Sequence, residues 1–592
     1  MKKALIVPTI LLLVIIFLVC EFSAAQKTTV FKNVNLVSML DDRASPDQTV
    51  IITGGRISKI GPADRIDVPA GAVVIDGSGK YLMPGLADMH VHYIGSSPHP
   101  FFDLLLANGV TTVRDLSQGA PASILSYRRE IVSGKRLGPT MLVATTVWGW
   151  EEPLLDFVTA QRPLGFDALK INSYLTLTDF EAVMRRAKET DWYTLGHIPY
   201  LVGLDGVIAG GMNEITHVEE LVIMELLAID RSKMSKAGDF DELLVEAFRR
   251  ESKPWLDASP RAIRDAYRPR AAAVAAKLKG KDVTVDSTLL VEKDIMLKLN
   301  DPAALRSSRH SPYIHPQFWQ DLEAGKDRHQ QIVVKGEERA WVWAYEIEKV
   351  MCEELRRAGI RLVLGTDVGP TYLSLAPGFS LLDELGVLTE CGYSPYEAIA
   401  AGTRTASIVA ARMTGRNEFG TIEAGKRADL ILLEKNPLES VENVRRPLGV
   451  MAAGSWLPRA ELEKLLTITK EEIGDGLIQA YARGGVEEVL RQYRFYRENN
   501  HYNAYRYSEG TLNVAAGRLL EEGHVEDALR LFQASTTYYP DAWSVFDNYG
   551  EACLKAGKRD LAIKNYERAL ILDPSKESSR TALEQLKAGD KK

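Results

Sequence analysis

Only four cysteines are spread over the 592 residues of this chain, and Cys20 lies in an N-terminal apolar stretch. If that stretch is removed, Cys352, Cys391 and Cys553 remain. They are widely spaced and odd in number, which excludes a disulfide framework and a cysteine zinc site. An excess of basic residues is also missing. Lys and Arg total 72 against 79 Asp and Glu, a net charge of −7, so the footprint of a nucleic-acid binder is absent. No phosphate loop, dinucleotide fingerprint or Ser-His-Asp order is found. The apolar run from Ala4 to Val19 falls short of the ~20 residues that span a bilayer. Behind Met1-Lys2-Lys3 and ahead of the small residues Ser23-Ala24-Ala25, it reads as a signal peptide over 1–25. Export to a periplasmic or extracellular space is expected. An uncleaved membrane anchor is the lesser alternative, and Val19 is bulkier than a lipid-attachment site at Cys20 prefers.

What the chain does have is an ordered series of metal-ligand residue types, each closing a short apolar run. His90-Val91-His92 follows Leu82-Met83-Pro84-Gly85-Leu86-Ala87-Asp88, and Lys170 sits in Ala168-Leu169-Lys170-Ile171. His197 follows Trp192-Tyr193-Thr194-Leu195-Gly196, His217 follows Glu214-Ile215-Thr216, and Asp367 follows Leu362-Val363-Leu364-Gly365-Thr366. A strand alternates its side chains, so histidines at i and i+2 point the same way and can share one metal. In a (β/α)8 barrel such strand ends converge on one face. Four of the ten histidines stand at these positions. A single His or Asp at a strand end is more often a hydrogen-bonded turn residue, and a buried lysine can merely pair with a carboxylate. The ordered set is what carries weight.

This set resembles the metal-dependent amidohydrolase superfamily, in the branch similar to imidazolonepropionases and Xaa-Pro dipeptidases. Ala107-Asn108-Gly109-Val110-Thr111-Thr112-Val113-Arg114-Asp115, Gly365-Thr366-Asp367 and Gly425-Lys426-Arg427-Ala428-Asp429-Leu430 add to the likeness, which runs from about Val30 to Leu466. The expected fold is α/β. Residues 84–411 form a (β/α)8 barrel, with strands ending near His92, Asp115, Thr145, Asn172, His197, His217, Ser287 and Thr366. Strand-like runs at 26–83 and 412–466 bracket it, and the resemblance implies that both flanks build one small β-sandwich. Two connections are unusually long. One follows His217, and the other runs from Ser287 to about Ile360 and carries Trp319, Trp341 and Trp343. Excursions at this face read as substrate lids.

The tail, 467–592, changes character. Gly550, Gly557, Ala562, Tyr566, Ala569 and Pro574 repeat Ala516, Gly523, Ala528, Phe532, Ser535 and Pro540 at a 34-residue step, the spacing of tetratricopeptide repeats. Gly484 to Tyr496 looks like a degenerate earlier unit. Such helix pairs bind a protein or peptide, or mediate self-association, and perform no chemistry.

The resemblance implies two divalent metal ions, zinc being the best suited. His90, His92 and Asp367 would hold the buried ion and His197 and His217 the exposed one. Lys170, carboxylated by CO2, would bridge them; without carboxylation the site would hold one metal. A bridging hydroxide would attack while Asp367 moves the proton to the leaving amine. Deaminase-like branches place a Glu shortly after the fifth-strand His. Here Ile198-Pro199-Tyr200 follows His197, whereas Glu219 and Glu220 follow His217, where they read as easily as solvated helix-start residues. Tyr174 and Tyr200 are candidate substrate contacts past strand ends, with rim packing as the plainer reading. Arg114 either pairs internally or binds an anion. The expected activity is hydrolysis of a C–N bond in a small amide or dipeptide. Alternatives are a lactone, a phosphoester or deamination at the same site, or an inactive barrel serving as a repeat-based scaffold.

Overall fold

The computed structural model describes residues 28–588 apart from 93–100, 117–120, 150, 152, 235, 315, 370–371, 471–472, 500–508 and 575. The signal-peptide reading of 1–25 lies outside the described residues. Eight parallel strands pair in chain order: β6 (Leu86–Val91), β7 (Val110–Asp115), β8 (Thr140–Val147), β9 (Ala168–Ile171), β10 (Thr194–Gly196), β11 (Glu214–Ile215), β12 (Thr284–Asp286) and β13 (Arg361–Val363). A parallel bridge between Val91 and Val368, with Met89 N–H donating to the Leu364 carbonyl, brings the last strand back against the first. The barrel is thereby nearly closed. All six residues of β6 are buried, because interior side chains fill one face and helices cover the other. Apolar runs, and not strict alternation, are the sequence trace of that double burial. The helix Leu177–Glu189 shows how the outer layer forms. The Thr176 side chain accepts from Asp179 N–H at its start, and Phe180, Val183, Met184 and Ala187 form the buried stripe.

The two flanks meet in one hydrogen-bonded sheet of eight strands. The N-terminal flank gives β1 (Thr28–Leu36), β2 (Ser45–Thr53), β3 (Arg56–Pro62), β4 (Val73–Asp76) and β5 (Tyr81–Pro84). The C-terminal flank gives β14 (Leu430–Leu433), β15 (Gly449–Ala452) and β16 (Ser455–Pro458). The order is β16-β15-β14-β5-β1-β2-β3, with β4 alongside β1. The join is β5 against β14, antiparallel, Met83 opposite Ile431. Phe31, Val34, Val50, Leu82, Leu430 and Met451 fill its core. The helix Arg459–Lys470 then packs Leu462 and Leu465 against Leu106 and Ala107, at the end of the first barrel helix.

The long connections are helical. Between β11 and β12 lie Asp239–Ser252 and Pro260–Leu278; between β12 and β13 the longest helix is Ala340–Ala358. Beyond residue 472 the regular elements among the described residues are all helices. Glu509–Glu521, Val525–Tyr538, Trp543–Lys555 and Arg559–Leu572 alternate as antiparallel neighbours, and their core is built from residues of the tail alone, Ala528, Phe532, Ala562 and Tyr566 among them. Cys352, Cys391 and Cys553 are buried and free.

Candidate metal centre

The end of β6 turns His90 and His92 toward each other inside the barrel mouth, Nε2 to Nε2 at 3.2 Å. Asp367, just past β13, places Oδ1 3.2 Å from His90 Nε2 and 2.9 Å from His92 Nε2. Ligand atoms of these three residues all lie within 4.8 Å of one another. His217, after β11, puts its ring 4.6 Å from that of His90, and His197, after β10, stacks on His217 with centroids 5.3 Å apart. Lys170 of β9 is buried, within reach of the Asp367 charge. His90, His92 and Asp367 thus form the tight group, and the stacked pair His197 and His217 stands beside it.

Three of the imidazoles are held from behind. His90 Nδ1 lies 2.7 Å from Asp286 Oδ2, His197 Nδ1 lies 2.7 Å from Glu220 Oε1, and His217 Nδ1 lies 2.8 Å from Thr288 Oγ1. Ionised carboxylates only accept, so Asp286 and Glu220 favour the tautomer with hydrogen on Nδ1 and leave Nε2 free for a ligand bond. Backbone strain supports the same arrangement. His217, Thr288 and Asp367 have φ of 67°, 48° and 60°. That left-handed region costs a residue with a Cβ about 1–2 kcal/mol, and strain of this kind gathers at functional sites. Gly365 has no room for a side chain, since a Cβ there would meet Asp286 Oδ1 at 2.2 Å and His90 Cβ at 2.7 Å.

Burial opposes charge throughout the site, and neighbours decide the outcome. Burial works against the Asp367 carboxylate, yet His90 and His92 hold it well below the usual range. Burial, reinforced by the Lys170 charge, takes His92 down to about 4. His217 is driven well down by burial and by His90. At His90 burial is outweighed by Asp286 and Asp367, which raise it. Burial also lowers the Lys170 ammonium to about 8, against the pull of Asp367 and Asp286.

Glu220 departs from its plainer sequence reading, whereas internal pairing of Arg114 and packing of the two tyrosines were among the sequence readings. Glu220 is no solvated helix-start residue. It is 7% exposed and accepts from both His197 and the Ile198 amide. Arg114 is fully buried, paired with Glu214 and 3.8 Å from Asp286, so its charge is satisfied inside the barrel. The Tyr174 hydroxyl donates to Asp241, and Tyr200 stacks on Phe240 at 3.9 Å. Asp286 and Thr288 had no distinct signal in the sequence, and Glu220 stood out only as one of two glutamates following His217. Asp286 does end a strand beside Ser287, the one place where a search for imidazole partners could have begun.

Residues 346–457 match the amidohydrolase family model. Over these residues the chain is similar to that family. Among curated relatives, an adenine deaminase of Staphylothermus marinus is 38% identical over 88 residues, which are 14% of this chain and 14% of that protein. An imidazolonepropionase of Idiomarina loihiensis is 35% identical over 102 residues, 16% of this chain and 25% of that protein. The chain therefore spans only a small part of the length of these relatives. In fold, a putative prolidase from Bifidobacterium longum superposes with a TM-score of 0.51 at 21% identity, over 75% of this chain and 99% of that one. The residues of this site fit a metal. Two imidazole nitrogens and a carboxylate oxygen converging from anchored side chains are a donor set that Zn2+ and similar ions take.

Proposed function

We propose that this chain is an exported metal-dependent hydrolase that cleaves a C–N bond in a small amide or dipeptide. The observation that carries the reading is the convergence of His90, His92 and Asp367 within 4.8 Å, at the end of the barrel where β6 and β13 finish. His90, His92 and Asp367 would hold one divalent ion, His197 and His217 a second, and Lys170 as its carbamate would bridge them. Such ions supply Lewis acidity and lower the pKa of bound water. Asp367 would take the proton from the attacking water on one carboxylate oxygen and return it to the departing amine. Asp286 and Glu220 keep their imidazoles in the ligand-ready tautomer, and Thr288 holds the His217 ring. Tyr174 and Tyr200, past the ends of β9 and β10, would line the approach of a substrate carbonyl.

Lys170, and the absence of a Glu directly after His197, favour amide hydrolysis with two metals. Deamination is the second reading, favoured by the match to an adenine deaminase. We read the tail as tetratricopeptide-like, because Val525–Tyr538 and Arg559–Leu572 place Phe532 and Tyr566 alike in its core. It would bind a peptide, a protein or a second copy. The test is metal content per chain together with turnover of a dipeptide library and of adenine. Turnover of dipeptides alone supports the first reading and turnover of adenine alone the second. A two-metal protein inert on both overturns each.

A further inference from the structure

A second cavity lies where the two long excursions meet. Its volume is about 150 Å3, and its walls come from the helices Asp239–Ser252 and Ala340–Ala358 and from residues following β11 and β12. The lining is mainly aliphatic and aromatic. Phe248 packs against Trp341 at 5.0 Å and Trp343 at 5.5 Å. Three carboxylates from three separate segments, Glu219, Glu292 and Glu348, enter this apolar wall with oxygens within 4.8 Å of one another. Glu292 and Glu348 are 5% and 3% exposed, yet Glu292 Oε2 and Glu348 Oε1 have no hydrogen-bond partner.

Such an arrangement is unfavourable as it stands. A buried carboxylate without a partner loses its hydration for nothing, and like charges at this spacing oppose one another. Burial, and then the charge of neighbouring carboxylates, keep Glu292 and Glu348 well above the usual carboxylate range. Arg249 also lines the cavity, while Lys298 and Arg328, whose charges reach the cluster, are engaged elsewhere. Lys298 pairs with Asp327 at 3.0 Å, and Arg328 lies over the Tyr372 ring at 4.8 Å. A cation between the three carboxylates would relieve all of these terms together.

We infer that this cavity is a subsite for a positively charged group on an aliphatic stem, of lysine or arginine side-chain size, carried by the substrate of the metal centre. This rests on the hydrolase reading above. The connection to the centre is Glu219, which lines the cavity two residues after His217. The chemistry of the wall selects the occupant. A hard divalent ion wants six or more oxygen ligands, several of them water, and beyond the three carboxylates the wall is mainly aliphatic and aromatic. An alkylammonium or guanidinium instead gains ion pairs at its head and ring contacts along its stem. A cavity of about 150 Å3 holds a benzene-sized body, comparable to a four-carbon stem.

The test uses the full-length, metal-loaded protein. Dipeptides carrying lysine or arginine at either position are compared with their norleucine and citrulline counterparts. At one position kcat/KM should favour the charged residue by about tenfold or more, the scale on which a built polar subsite discriminates. In Glu348→Gln that ratio should fall toward one while metal content is unchanged, and Glu292→Gln serves as the second variant if the first fails to fold. Calorimetry on the wild type should show pentylammonium binding and pentanol binding at least about tenfold more weakly, the factor that marks a charge preference. Equal kcat/KM for charged and neutral residues at both positions overturns the inference. So does an additional calcium or manganese ion that disappears in Glu348→Gln. Selective pentylammonium binding without turnover of any dipeptide would remove the hydrolase reading and leave the cation pocket standing.

Discussion

The His90 imidazole and the Asp286 carboxylate face each other at 2.7 Å, both with no exposed side-chain surface, at the ends of β6 and β12. The pairing fixes which nitrogen of His90 is free. Asp286→Asn puts an amide there that can donate as well as accept, so the ring loses its fixed tautomer. Metal affinity should drop about 10–100-fold, the usual effect of removing such a partner. Equilibrium dialysis against a chelator measures it. Retention equal to wild type would show that Asp286 does not orient the ligand.

Asp367 is predicted to be indispensable in a different way. Asp367→Asn should lower turnover by ~10^2-fold or more even at metal loading matched to wild type, as expected for loss of a general acid and base. Kinetics under saturating metal separate this from simple loss of the ion, and unimpaired hydrolysis would assign the proton transfer to another group.

Elemental analysis after preparation with zinc and bicarbonate should find about two ions per chain, as in two-metal hydrolytic sites. Lys170→Ala should retain about one, because the paired histidines of β6 and Asp367 need no carbamate. Identical metal content in both proteins would remove the bridge from the scheme.

The second excursion should be acid-sensitive. His329 is 6% exposed, and burial with the Lys298 charge lowers it from 6.5 to about 3, although Asp327 works the other way. Folding therefore favours the neutral ring. Its contribution is complete above pH ~6.5 and is lost as pH falls toward ~3, with a slope of at most about 1.4 kcal/mol per pH unit. His329→Gln should flatten the acid limb of a denaturation-versus-pH curve across that window. An unchanged limb would show that the ring does not titrate there.

A chain ending after Lys470 should keep its metals and its hydrolysis of small substrates, and should lose partner binding or self-association. The end point matters, because Leu462 and Leu465 pack on Leu106 and Ala107 and belong with the barrel. A folded, metal-loaded truncation without activity would mean that the tail contributes to the substrate pocket.

The barrel could be read from the sequence because its strands are buried on both faces. Each end such as Leu195-Gly196-His197 is an apolar run closed by a polar residue. The ligand types were legible for the same reason, since imidazole and carboxylate stand out at the end of such a run. Their partners were not. Asp286, Glu220 and Thr288 meet His90, His197 and His217 only when the strands close into a ring, and nothing local distinguishes them from turn residues. Glu292 and Glu348 were invisible for a stronger reason. Each lies on a helix of an excursion, where a glutamate ordinarily faces water.

The pairing of β5 with β14 has a consequence for how the chain is made. Tyr81–Pro84 emerges from the ribosome before any barrel strand, and its partner Leu430–Leu433 emerges after all of them. Until then one edge of β5 is bare, and bare edges recruit foreign strands. Contacts this distant along the chain form slowly. The closing event for the barrel and its sheet is therefore expected to be the capture of one short strand by another, with the finished barrel held between them.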